Sequence, residues 1–179
     1  MFKTDIIQKC IKGNRKSQLR LYNKYCDAML NIAFRYVKQR DLAEDVTQEA
    51  FIKAFKNLHK YDGSSTFGAW LKRIVINQSI DTIRKKADVL RLDDHTAFEL
   101  EAEDWQVDEN VNVTQVKQCI SELSEKYALV LKLYLMEGYD HEEISEILNI
   151  SENASRTQLH RGKIRLKAEL KKMDYERFA

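Results

Sequence analysis

Asp140-His-Glu-Glu-Ile-Ser-Glu-Ile-Leu-Asn-Ile-Ser151, continued by Glu152-Asn-Ala-Ser-Arg-Thr-Gln-Leu-His-Arg161, encodes two helices and the break between them. Asp140 and Glu143 have capping-box spacing, in which the aspartate oxygen accepts a backbone N–H and the glutamate reaches back. Ile144, Ile147 and Leu148 then line one face of a short helix. Asn149 tolerates the left-handed conformation that stops it, Ile150 turns inward, and Ser151 caps a long basic helix reaching about Lys172. Helix 140–148, turn 149–151 and helix 152–172 have the lengths of a helix-turn-helix. Ile144, Leu148, Ile150 and Leu159 are expected to pack the pair, with Ser145 small enough for a close approach. Asn153, Ser155, Arg156, Gln158 and His160 are expected to stand away from that seam. Arginine can bind guanine, and asparagine or glutamine adenine, through two hydrogen bonds in a major groove. Arg161, Lys163, Arg165 and Lys167 lie further along and suit phosphates.

Upstream of this motif the helical pattern continues. Val113, Val116, Ile120 and Leu123 form one stripe. Ser124 caps a helix with Tyr127, Val130, Leu131, Tyr134 and Leu135 inside, and Gly138 stops it. Nearer the N-terminus, Tyr22, Tyr25, Met29, Ile32 and Tyr36 fall on one face of a helix from about Gln18 to Lys38. Asp41 and Glu44 read as a second capping box, opening a helix that carries Leu42, Val46, Ala50, Ile52, Phe55 and Leu58. Tyr61-Asp-Gly-Ser-Ser-Thr66 is a loop by composition. Phe67, Trp70, Leu71, Ile74, Val75 and Ile83 then support a helix reaching about Lys86. Periodicity fades from Ala87 to Asn112, which is too long for a connection inside one compact domain. The expected fold is therefore all-α: a helical domain over 1–86, a flexible acidic linker over 87–112, and a helix-turn-helix domain over 113–179.

Composition narrows the function classes. The 179 residues include five glycines and no proline, where roughly nine prolines would be ordinary. Proline punctuates turns and edge strands, so its absence argues against sandwiches, barrels and proline-rich linkers. No apolar run approaches the roughly 20 residues that span a bilayer, and Met1-Phe2-Lys3-Thr4-Asp5 lacks a signal-peptide layout. A cytoplasmic protein without membrane insertion is expected. Three scattered cysteines, Cys10, Cys26 and Cys119, suggest neither a disulfide framework nor a zinc ribbon.

The net charge of +2 hides a strong local pattern. Eight acids and no Lys or Arg between Asp93 and Glu109 give −8. Leu71 to Arg91 carries +4 and Ser151 to Met173 carries +5. Two basic segments at the ends of helical patterns point to a polyanion partner. His141-Glu-Glu-Ile-Ser145 begins like the zinc-protease motif, but Ser145 stands where the second ligand must be, so His141 reads as an exposed first-turn residue. The four histidines form no cluster, and no glycine-rich phosphate loop or GxSxG occurs. No metal, cofactor or enzymatic activity is expected.

Two blocks carry a family resemblance. Asp45-Val-Thr-Gln-Glu-Ala-Phe-Ile-Lys-Ala-Phe-Lys-Asn-Leu58, with Tyr61-Asp-Gly-Ser-Ser-Thr-Phe-Gly-Ala-Trp-Leu-Lys-Arg-Ile-Val-Ile-Asn77, closely resembles region 2 of sigma-70 factors of the extracytoplasmic function (ECF) group. Leu123 to Ala128, Tyr139 to Leu148 and Gln158 to Arg161 resemble region 4 of the same group. The resemblance implies a non-enzymatic sigma factor that binds core RNA polymerase and directs promoter-specific initiation through the −10 and −35 elements. It implies contacts with the β′ clamp helices and the β flap, and control by an anti-sigma factor. The alternative is a conventional helix-turn-helix repressor or activator that never becomes a polymerase subunit.

Residue roles follow from the same resemblance. Asp41, Glu44, Asp45, Gln48, Glu49 and Lys53 would meet the polymerase, on a polar face opposite Val46, Ala50 and Phe55. The loop Asp62, Gly63, Ser64, Ser65 and Thr66 would capture an unstacked base of the melted −10 strand. Trp70 would stack or wedge, Phe67 would enter the core, and Arg73, Asn77, Arg84, Lys85 and Lys86 would follow the DNA backbone. Asn153, Ser155, Arg156, Gln158, His160, Arg161, Lys163 and Arg165 would meet the −35 element. Ser155 is a departure, since relatives usually have a β-branched apolar residue there. The −8 charge of the acidic linker leaves two readings, a nucleic-acid mimic that follows the polymerase's RNA path or a soluble, disordered spacer.

Overall fold

All regular structure among the described residues is helical, and the chain divides into two units, Met1–Asp94 and His95–Ala179. The computed structural model describes residues 2–87 and 112–178. The acidic segment, and with it the expectation of nucleic-acid mimicry, lies outside the described residues, as does the side chain of Lys86.

The first unit holds α1 (Phe2–Ile11), α2 (Arg15–Val37), α3 (Arg40–Lys56), a 3₁₀ turn (Leu58–Lys60) and α4 (Phe67–Ala87). Asn14 caps α2 by accepting from the Ser17 N–H at 3.0 Å, and Lys38 closes it in the left-handed region at φ 58°. Helices α2, α3 and α4 pack against one another in all three pairings. Ala43, Ala50 and Ala54 are fully buried on α3 and keep that face thin enough for its neighbours to approach. Leu71, Val75, Ile76 and Ile80 of α4 fill the centre, each fully buried aliphatic side chain contributing about 1.5–3 kcal/mol of transfer free energy.

Two expectations change here. Asp41 does not cap α3: the helix starts at Arg40 with Gln39 as its N-cap, and Glu44 instead accepts from Arg40 Nε at 3.1 Å. Ile52, read as part of the apolar stripe, is exposed. The helix α1, for which the sequence offers no capping signal, lays Ile7 and Cys10 against the rest of the unit.

The second unit holds α5 (Val113–Glu122), α6 (Glu125–Leu131), a π-helical turn (Lys132–Glu137), α7 (His141–Leu148) and α8 (Glu152–Phe178). Helix α8 is its spine, touching α5, α6 and α7. A Cβ built at Gly162 would lie 3.1 Å from Leu131 Cδ1, so the absence of a side chain there is what lets α8 approach α6. Asp140 and Glu143 form the capping box, with Glu143 N–H donating to Asp140 Oδ1 at 2.8 Å and Asp140 N–H donating to Glu143 Oε2 at 3.2 Å. Asn149 is left-handed at φ 49°. Tyr134 and Leu135, expected inside, are 37% and 43% exposed. The wide turn from Lys132 breaks the 3.6-residue period on which that expectation rests.

Candidate nucleic-acid interface

The polar residues of α3 share its outer face. Asp41, Glu44, Asp45, Gln48, Glu49 and Lys53 are all exposed, while Ala43, Val46 and Ala50 point into the core. Glu49 accepts from Gln78 Nε2 of α4. Beside this face, Tyr22, Cys26, Asp27 and Leu30 of α2 and Glu44, Thr47 and Gln48 of α3 line an open groove. Sequence reasoning missed the groove because it joins two helices whose relative rotation no single periodicity reveals.

The loop between α3 and α4 is held by its own side chains. Asp62 Oδ1 accepts from the Ser64 N–H at 2.9 Å, which holds the carboxyl below its usual pKa. Gly63 takes φ 80°, a conformation open to glycine. Tyr61 Oη donates to the Ser65 carbonyl at 2.7 Å, and Thr66 Oγ1 caps α4 by accepting from the Ala69 N–H at 3.2 Å. Under the loop, Tyr61 lies 5.5 Å from Trp70 and 5.9 Å from Phe67, centroid to centroid. Phe67 is buried and Trp70 half-buried.

Trp70, Arg73, Asn77 and Arg84 are spaced along one face of α4, all half-buried, and Lys85 is exposed. The Asn77 Oδ1 is shielded from solvent and accepts from no donor among the described residues. A shielded acceptor without a donor is costly unless a ligand supplies one.

In α8 the expected base-reading set divides. Asn153 and Arg156 are exposed, Gln158 is half-buried, and Arg156 Nη2 lies 3.3 Å from Glu152 Oε2. Ser155 is corrected: it is fully buried in the seam, its Oγ 2.9 Å from His141 Nδ1. His141 is corrected with it, being half-buried and stacked on Tyr134 at 5.2 Å and 28°. Burial, and then the Arg156 guanidinium, push the His141 pKa below its ordinary value. His160 is half-buried with Nε2 shielded and unpartnered. Lys163 and Arg165 lie over the Tyr134 and Tyr127 rings at 5.6 and 4.8 Å, so both carry cation–π contacts besides their charge. Among the described residues no group of His, Cys, Asp and Glu is arranged to hold a metal ion. No described helix is long and apolar enough to cross a membrane.

Sigma-70 region 2 matches residues 21–89 and sigma-70 region 4 matches residues 114–166. The ECF RNA polymerase sigma factor SigW of Bacillus subtilis is 31% identical over 177 residues, covering 92% of this chain and 95% of its own. The chain belongs to the ECF group of the sigma-70 family. SigM of the same organism is 30% identical over 152 residues, covering 83% and 91%. Two solved structures share the fold. CnrH in complex with the cytosolic domain of CnrY has a TM-score of 0.54 at 20% identity, covering 94% of this chain and 97% of that one. RpoE in complex with the anti-sigma factor NepR from Bartonella quintana has a TM-score of 0.56 at 21% identity, covering 85% and 95%. This sigma factor thus binds core RNA polymerase and directs promoter-specific initiation, and the conventional repressor reading is not favoured.

Proposed function

We propose that the outer face of α3 docks on the β′ clamp helices, that the Asp62–Thr66 loop with Trp70 captures a melted −10 base while Arg73, Asn77, Arg84, Lys85 and Lys86 follow the DNA backbone, and that the first turns of α8 read the −35 element. The second unit is proposed to meet the β flap, an anti-sigma factor to hold the chain inactive, and the cytoplasm to be its site of action. The role is binding rather than catalysis. Asn153, Arg156 and Gln158 remain the base-reading candidates in α8, while Ser155 turns inward and His160 has its Nε2 shielded.

One observation carries the −10 assignment: the loop's backbone is fixed by Asp62 and Tyr61, and the Tyr61 ring lies against Trp70. A pocket for an unstacked base needs a stacking surface and waiting hydrogen-bonding groups. Ser64→Trp with Ser65→Trp fills the loop's open side. Such a chain is expected to co-purify with core polymerase yet fail to open the −10 region, read by permanganate reactivity of the melted strand. Equal loss of polymerase binding and opening would make the loop structural.

A further inference from the structure

A buried serine in the first turns of a DNA-reading helix is unusual chemistry for that place. The Ser155 hydroxyl is fully enclosed, and an enclosed hydroxyl without a partner is costly. Its partner is His141 Nδ1 at 2.9 Å, on the first residue of α7. His141 is itself held by stacking on Tyr134 of the π-helical turn, and Lys163 of α8 covers the same tyrosine ring at 5.6 Å. Helix α7 and the π-helical turn therefore brace the stretch of α8 from Ser155 to Lys163, which carries Arg156, the neighbour of Ser155.

We propose that His141 is a positioning residue for −35 recognition, acting through the Ser155 hydroxyl. Apolar packing at this seam would hold α8 against α7 while leaving small rotations about its axis cheap. A hydrogen bond is directional, and its acceptor or donor here sits on an imidazole that stacking prevents from turning. The bond sets the rotation of α8, and so the angle at which Arg156 and Asn153 leave the helix. Base-reading groups tolerate displacements of only about 0.5 Å or 10–20°. The charged groups around the imidazole are Asp140 on its own helix and Glu152, Arg156 and Lys163 on α8. Their signs are mixed, which leaves the hydrogen bond and the stacking as the orienting contacts.

The inference rests on α8 being the −35 helix. Its test is a double-mutant cycle on holoenzyme reconstituted with the full chain, reading the ratio of transcription from a matched and a mismatched −35 promoter. Ser155→Ala removes the hydroxyl, and His141→Phe keeps the stacked ring without its nitrogen. Each is expected to lower the ratio about three- to tenfold, the size of coupling between residues in contact. The double variant is expected to fall no further. His141→Asn, whose amide nitrogen or oxygen occupies the place of Nδ1, is expected to keep the ratio within about twofold of the parent, a rescue that loss of packing alone would not allow. Ser155→Ala alone keeps the test open if His141→Phe does not fold. Unchanged ratios in the single variants, or independent multiplicative losses in the double, overturn the inference while the parent still prefers its matched promoter. A parent with no −35 preference overturns both it and the reading of α8.

Discussion

Arg156 stands exposed one turn after Glu152, its guanidinium 3.3 Å from that carboxylate. An exposed pair at this spacing is worth about 0.3–0.5 kcal/mol, so a guanine edge offering two acceptors outcompetes it. Arg156→Ala is expected to cost about 1–3 kcal/mol at one −35 position and to relax preference there. Arg156→Lys is not expected to restore it, because an ammonium lacks the planar fork. A panel of promoters varied base by base reads both effects. Gly162 gives a matching prediction for folding. Valine there would drive a branched side chain against Leu131, which is fully buried and has no room to yield. Gly162→Val is expected to destabilise the second unit by about 1–3 kcal/mol, measured by urea unfolding. Neither Gly162 nor Ser155 shows its role in the sequence. Serine reads as a surface residue by type, and the histidine that satisfies it lies 14 positions away, beyond any helical spacing.

At the scale of elements, capping chemistry was legible where it alone decides a boundary. The Asp140–Glu143 box, the Asn149 stop and the Gly138 stop all fall where their side chains or backbone freedom predict. The same reasoning failed at Asp41, because packing of Ala43, Val46 and Ala50 against α2 and α4 sets the register and α3 begins two residues earlier. The π-helical turn carries no composition signal, so Tyr134 and Leu135 were misplaced with it. That turn and α7 together hold His141, whose pKa is lowered by burial and by Arg156. A lowered folded-state pKa means that the fold prefers the neutral ring. The contribution to stability is complete above the ordinary histidine value of about 6.5 and is lost as pH falls through the lower folded value. Urea unfolding of the second unit's transition, followed from pH 7.5 down to pH 5 or so, is expected to show stability declining below about 6.5. His141→Asn is expected to flatten that part of the decline. An identical decline in the variant would assign it to other groups.

At the scale of the chain, the two-unit organisation was legible because periodic apolar spacing stops at Ala87 and resumes at Val113 around an acidic stretch, and the division between the units, Asp94 to His95, falls inside that stretch. The charge pattern has a functional corollary. The two basic runs, Leu71 to Arg91 and Ser151 to Met173, lie in different units, so the bases expected to follow DNA are shared between them. Each would neutralise few phosphates, and non-specific affinity scales with the number neutralised. In the proposed arrangement polymerase supplies what the free chain lacks, by holding both units at once so that the second contact becomes intramolecular. Such linkage commonly adds 10²–10⁴-fold without any new contact, roughly 3–5 kcal/mol. The free chain is therefore expected to bind a −10/−35 promoter duplex at least about 10²-fold more weakly than the holoenzyme at the same salt. Fluorescence anisotropy on one labelled duplex compares the two directly. Equal affinity would mean that the helix-turn-helix suffices alone, as it does in a conventional repressor, and that the division of charge between the units has no part in making promoter recognition depend on polymerase.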